Sequence, residues 1–221
     1  SIIGNLKYAT DCTRPAIAYA VNILSRFTSK PSYDHWNAIT RVMKYLKGTI
    51  NYGLLYKNYP AVLEGFSDAD WNSQSGDSLS TTGYIFILGG AAVCWRSKKQ
   101  HIIAKSTMEA ELIALASAGE EASWLRDLLS EIPVWDKPVP PILLHCDSTA
   151  AIGRVHNKYY NEKSRVVRRK HSTVRSYLCD GAINIDHVRS KENLANPLTK
   201  ALAREQISQT SKGMGLEPKK F

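Results

Sequence analysis

The sequence lacks most of the features that assign a function quickly. In its 221 residues there is no run of about twenty apolar residues, so no segment reads as a transmembrane helix. The opening Ser1-Ile2-Ile3-Gly4-Asn5 has no basic stretch followed by an apolar one, so no signal peptide is expected; with no initiator Met, the chain reads as a piece of something longer. Only four cysteines occur, Cys12, Cys94, Cys146 and Cys179, and none forms a CxxC pair. That spacing excludes the common zinc and dithiol motifs and suits buried thiols in a reducing compartment. The six histidines, His35, His101, His145, His156, His171 and His187, are scattered without ligand spacing. His171 stays a candidate because it follows a basic run. No glycine-rich phosphate loop, Ser-His-Asp arrangement, internal repeat or low-complexity stretch is present.

What is there is charge of one sign. The formal net charge is +9 and the pI about 9.4. That balance suits a polyanionic partner, usually a nucleic acid. Hydrophobic residues make up 43%, enough for a sizeable core.

Residues 1–58 read as mostly helical. Pro15 suits a first helical position, and Ile17, Val21 and Leu24 recur with the spacing of one helix face. A second amphipathic stretch runs over 35–46. The pattern then turns extended. Strands are expected over 62–66, 84–88 and 92–95, the last two joined by the turn Gly89-Gly90. A long helix begins at Ser106-Thr107-Met108-Glu109, which fits a capping box, and stops before Ile132-Pro133. A buried strand over 142–146, a short helix, a helical stretch ending at Gly181, a strand over 183–188 and a helix over 192–203 complete the order. A meander followed by strand–helix crossovers gives an α/β fold, a mixed sheet with helices packed on it. Trp71, Trp95, Trp124 and Trp135 are expected in the core, and Trp36 among the front helices.

Three acidic residues fall where this order brings them together. Asp68 and Asp147 sit at the carboxyl ends of strands, the usual place for sites in open α/β sheets. Glu111 lies in the first turns of the long helix and shares a face with Leu115 and Ala118. Clustered carboxylates need a counter-charge, and hard divalent cations such as Mg²⁺ supply it. Two such ions roughly 4 Å apart can activate a water and stabilise the leaving oxygen of a phosphodiester. Read singly, each carboxylate is more simply a solvated loop residue or a helix cap.

The motifs around them are specific. Phe66-Ser67-Asp68-Ala69-Asp70-Trp71 resembles the YSDADW of plant copia-type retrotransposon ribonuclease H domains. Ser80-Thr81-Thr82-Gly83-Tyr84-Ile85-Phe86 resembles the family's STSGYVF, and Trp95-Arg96-Ser97-Lys98-Lys99-Gln100 its WxSKKQ. Ala104-Lys105-Ser106-Thr107-Met108-Glu109-Ala110-Glu111 resembles AxSTxEAE, and Cys146-Asp147-Ser148 resembles CDN or CDS. Asn193-Leu194-Ala195-Asn196-Pro197-Leu198-Thr199-Lys200 is similar to NLADPLTK. In front, Cys12-Thr13-Arg14-Pro15 and Val42-Met43-Lys44-Tyr45-Leu46-Lys47-Gly48-Thr49 resemble the end of the copia reverse transcriptase. The resemblance runs in order over nearly the whole chain.

It implies an RNase H-like mixed five-stranded sheet flanked by helices over 59–205. A helical remnant of the reverse transcriptase over 1–58 precedes it, and a tail over 206–221 follows. It implies a ribonuclease H that hydrolyses the RNA strand of an RNA–DNA hybrid with two Mg²⁺ ions, for which Mn²⁺ can substitute. The implied metal positions are Asp68, Glu111, Asp147 and Asn196. Glu109 rivals Glu111, but the capping box gives it a structural role; Asp70 is a weaker rival for Asp68. Asn196 stands where the family has Asp, and Ala16 where it has Asp in RPDI. An amide brings no negative charge, and losing a preorganised electrostatic contact costs about 10²–10³ in rate. Arg96, Lys98, Lys99, Ser148, Thr149, Lys163, Arg165, Arg168, Arg169 and Lys170 are expected to contact the nucleic acid, mainly its phosphates. The expected partners are the hybrid and the rest of the polyprotein, reverse transcriptase and integrase, with no membrane. The setting is intracellular, in a cytoplasmic virus-like particle or the nucleus. Two other readings remain: a catalytically silent module binding RNA–DNA hybrid or double-stranded RNA, and a reused domain with a protein partner.

Overall fold

The computed structural model describes residues 1–57, 62–71, 79–160 and 164–219. Three helices open the chain: α1 (Ile2–Thr13), α2 (Ala18–Ser25) and α3 (Tyr33–Gly48). A 3-10 turn, Pro15–Ile17, links the first two and begins at the proline, whose missing N–H costs nothing there. Ile17, Val21 and Leu24 bury together with Leu6 and Val42, as their spacing predicts.

β1 (Tyr52–Leu54) follows, then the main sheet begins with β2 (Glu64–Asp70), β3 (Thr81–Leu88) and β4 (Ala91–Lys99). Gly89 and Gly90, at φ 59° and 82°, make the β3–β4 turn; both lie in the left-handed region that glycine enters without strain. α4 (Thr107–Glu131), β5 (Ile142–Cys146), α5 (Thr149–His156), α6 (Arg165–Cys179) and β6 (Ile183–His187) come next. The five strands lie in the order β4-β3-β2-β5-β6. β2, β3 and β4 pair antiparallel, while β2, β5 and β6 pair parallel. This is the mixed five-stranded α/β sheet flanked by helices that the sequence predicts.

Alternation along β3 divides the core. Tyr84 and Phe86 face α4 and pack with Leu112, Ile142 and Leu144. Ile85 and Ile87 face the other way, with Phe66, Leu198 and Met214. α4 is buried nearly all round in its first half, where Leu112, Ile113, Ala114, Leu115 and Ala116 are all buried. Burying a leucine such as Leu115 contributes about 2 kcal/mol. The helix ends at Glu131, and the following proline holds the cap residue Ile132 extended.

Several expectations change. β2 extends through Asp70, so Asp68 lies inside the strand rather than at its end. The expected 192–203 helix is instead two 3-10 turns, Ser190–Glu192 and Asn196–Leu198. Pro197 has no N–H to continue an α-helix, and the Asn193 side chain takes the Ala195 amide at 3.0 Å. The last helix is α7 (Arg204–Gly213), followed by β7 (Leu216–Pro218), which pairs antiparallel with β1. Residues 206–221, grouped from the sequence as a tail, thus include most of α7 and β7, with Met214 and Leu216 buried in the fold. Trp71 and Trp124, expected in the core, are substantially exposed, and so is Trp36, expected among the front helices. The Trp71 indole N–H is tied to the Ala104 carbonyl at 3.0 Å, so that ring spends its polar edge on the protein and leaves its other side to solvent. Among the described residues, no helix is long and apolar enough to cross a membrane.

Candidate active site

Four segments meet at the carboxyl end of β2 and β5. β2 supplies Asp68, which is 1% exposed. α4 supplies Glu111 from its second turn, also buried. Asp147 follows β5 directly, half-buried. The irregular segment after β6 supplies Asn196 and lies against β3. Gly83, opposite Asp68 in the ladder, permits that approach: a Cβ there would sit 2.7 Å from Thr199 Cγ2 and 2.8 Å from Leu198 Cβ.

The carboxylates act on one another electrically. Burial raises the Glu111 carboxyl to about 9, helped by the charges of Asp68 and Asp147 and opposed by the Ala69 amide and Lys200. Burial also raises Asp68, against the pull of Lys200 and the Thr199 hydroxyl. Asp68 Oδ2 accepts a hydrogen bond from Thr199 and lies 3.4 Å from Lys200 Nζ. Ser190 donates to Asp147 Oδ2, and Asn196 Nδ2 donates to the Ser190 carbonyl. Among the described residues, Glu111 Oε2 and Asn196 Oδ1 of this cluster are buried with no hydrogen-bond partner.

Among the described residues, Glu111, Cys146 and Asp147 each offer an atom within 4.8 Å of the others. Cys146 is fully buried and its thiol is pushed far up, mainly by desolvation, so it stays protonated and is a poor ligand for a hard cation. The carboxylate oxygens are the donors that suit Mg²⁺ or Mn²⁺. An unpartnered buried carboxylate oxygen, beside repelling neighbours, fits a site that a divalent cation completes.

Glu109 has a separate task. Its amide donates to Ser106 Oγ at 3.2 Å, and its Oε2 accepts the Lys105 amide at 2.8 Å. Half of the expected capping box therefore forms; the carboxylate reaches one residue further back than the Ser106 amide. Ser190, Asn193, Thr199 and Lys200 were not singled out from the sequence. The last three lie within the quoted NLANPLTK stretch, but Ser190 carries no local signal. Asn193 is fully buried and donates to the Ser67 carbonyl at 2.9 Å, fastening the segment to β2.

The expected nucleic-acid contacts divide. Arg96, Lys98, Lys99 and Lys170 line one cavity of about 400 Å³ together with Glu120 and Glu121. Lys170 is ion-paired to Glu120 at 2.8 Å. Arg165, Arg168 and Arg169 are exposed on α6 and do not line that cavity. Ser148 caps α5 by accepting the Ala151 amide at 3.2 Å, and Thr149 is exposed two residues from Asp147. Lys163 lies outside the described residues. His171 is buried, its Nε2 3.0 Å from the Arg154 carbonyl, a structural placement.

The chain is 34% identical over 216 residues to the retrovirus-related Pol polyprotein from transposon TNT 1-94 of Nicotiana tabacum, covering 98% of this chain and 16% of that relative. It is 36% identical over 216 residues to that from transposon RE2 of Arabidopsis thaliana, covering 97% and 15%. The chain belongs to the retrovirus-related Pol polyproteins of copia-type transposons. It spans about one sixth of the length of these relatives. No protein-family profile matches it. Among solved structures, RNase H1 from the halophilic archaeon Halobacterium salinarum NRC-1 aligns at 20% identity with a TM-score of 0.44, over 66% of this chain and 98% of that one. In this chain the five-stranded sheet and the candidate site lie over 64–200, with α1–α3 before them.

Proposed function

We propose that this chain is the ribonuclease H part of a copia-type Pol polyprotein, cutting the RNA strand of RNA–DNA hybrids with divalent metal. The observation that carries this reading is the meeting of Asp68, Glu111 and Asp147, far apart in sequence, with a buried Glu111 oxygen left unpartnered. Glu111, Asp147 and Asp68 would hold the cation, with Asn196 Oδ1 as a neutral oxygen donor. When bound, a divalent ion supplies an activated water and charge stabilisation at a phosphodiester. The chain's own residues do the rest. Ser190 holds Asp147, Thr199 holds Asp68, and Asn193 locks their segment to β2. Such fixed orientation keeps reorganisation out of the reaction step. Arg96, Lys98 and Lys99 on β4, with Arg165, Arg168 and Arg169 on α6, offer phosphate contacts that read no base sequence.

A second reading, a silent hybrid-binding module, is favoured by one feature: Asn196 brings no charge to the cluster. The test is incubation with end-labelled RNA–DNA hybrid in Mg²⁺ and in Mn²⁺, beside Asn196→Asp. Cleavage by the chain as it stands supports the nuclease. Cleavage by Asn196→Asp alone supports the silent module built on an intact site. Salt-sensitive binding without cleavage by either protein removes the nuclease reading.

A further inference from the structure

The cluster is unequal in charge. On one side, Glu111 and Asp147 lie within 4.8 Å of each other through their ligand atoms, and Glu111 Oε2 is unpartnered. On the other, Asp68 stands outside that group; its Oδ2 already receives the Thr199 hydroxyl and lies 3.4 Å from Lys200 Nζ. Beside it, Asn196 contributes an amide whose nitrogen is committed to the Ser190 carbonyl.

We propose that Lys200 is a resident counter-ion for Asp68 and that, with the neutral Asn196, it sets the site to hold one divalent cation tightly instead of two. The inference rests on the reading that these carboxylates bind a cation. A buried carboxylate needs a partner, and Lys200 supplies one without leaving the chain. Its position is not that of a loose surface lysine. Its amide donates to the Asn196 carbonyl at 3.2 Å, and the preceding Thr199 amide donates to the same carbonyl at 3.1 Å. Position 196, Thr199 and Lys200 are thereby one short hydrogen-bonded unit. With all three carboxyl groups ionised, as they would be around a bound cation, the one ammonium leaves a formal charge of −2, which one divalent ion balances. A first ion beside Glu111 and Asp147 feels the ammonium at a distance but has no salt bridge to displace. A second beside Asp68 must displace the ammonium and gains no charge from position 196.

Manganese titration read by electron paramagnetic resonance or calorimetry tests this without reference to activity. The wild-type chain is expected to take one Mn²⁺ tightly. Lys200→Met is expected to bind it about tenfold more tightly, because a nearby positive charge is gone. Lys200→Arg keeps the charge and is expected to match wild type. The double variant Lys200→Met/Asn196→Asp is expected to take two ions. Two tight ions in wild type, unchanged affinity in Lys200→Met, one ion in the double variant, or Lys200→Arg behaving like Lys200→Met would each overturn the proposal. No Mn²⁺ bound by any variant, with melting curves showing them folded, overturns the cation-site reading beneath it.

Discussion

The part of the site on β2, α4 and β5 and the part after β6 are built by different physics. On β2, α4 and β5, each carboxylate takes its place from a regular element. Asp68 sits in a ladder opposite Gly83, and Glu111 is carried by a helix whose Leu112, Leu115 and Ala118 are buried. Residues 188–203 have two 3-10 turns and no long regular element. They are held by side chains: Asn193 on β2, Ser190 on Asp147, Thr199 and Lys200 on Asp68. Apolar packing thus places the charges, and buried polar contacts orient them. The first part is expected to tolerate loss of a single contact better than the second, whose apolar anchors in the core include Ala195 and Leu198.

Breaking the segment should therefore cost more than its size suggests. Asn193→Ala leaves the Ser67 carbonyl and Ala195 amide without their partner, both at a fully buried side chain. The expected loss is about 3 kcal/mol. In calorimetry that corresponds to a melting temperature lower by roughly 6–12 °C. Gly83→Ala drives a methyl against Thr199 and Leu198, and overpacking of this kind costs about 1–3 kcal/mol. Chemical denaturation reads it, and hybrid cleavage should fall with it because Thr199 is displaced from Asp68.

A milder probe addresses the carboxylates alone. Glu111 is raised from an ordinary carboxyl to about 9, so its neutral form favours the folded state. Its contribution is whole below about 4.5 and is lost as pH rises through about 9. Without divalent metal, the melting temperature should fall over that window, and Glu111→Gln should flatten the fall. An equally steep profile in Glu111→Gln would place the charge strain elsewhere. The smallest effect is expected on α6. Replacing Arg165, Arg168 and Arg169 with Gln should leave melting unchanged and lower the slope of log binding constant against log salt by up to about three.

The same contrast explains what the sequence makes legible. Apolar runs and helical spacing give β5 and α4 nearly whole and the last five residues of β3, because apolar burial selects those residues. They also bring Asp68, Glu111 and Asp147 to one end of the sheet. The 188–203 segment has no period, and a helix there was the wrong expectation because Pro197 and the Asn193 side chain compete with the helical pattern. Lys200 reads in sequence as one more lysine of a basic chain; only its 3.4 Å approach to Asp68 gives it a role. The β1–β7 pair joins residues more than 160 positions apart, and three-residue strands carry too short a pattern to foresee it.

The proposed function requires that three distant carboxylates form one cation-dependent nuclease site. The most direct measurement is the rate of RNA-strand cleavage in a labelled hybrid by wild type and Asp147→Asn, with Mg²⁺ and with chelator. The account predicts cleavage that needs the metal and a rate lower by about 10²–10³ in Asp147→Asn, with hybrid binding retained. Equal rates in the two proteins, or cleavage that persists in chelator, would contradict it.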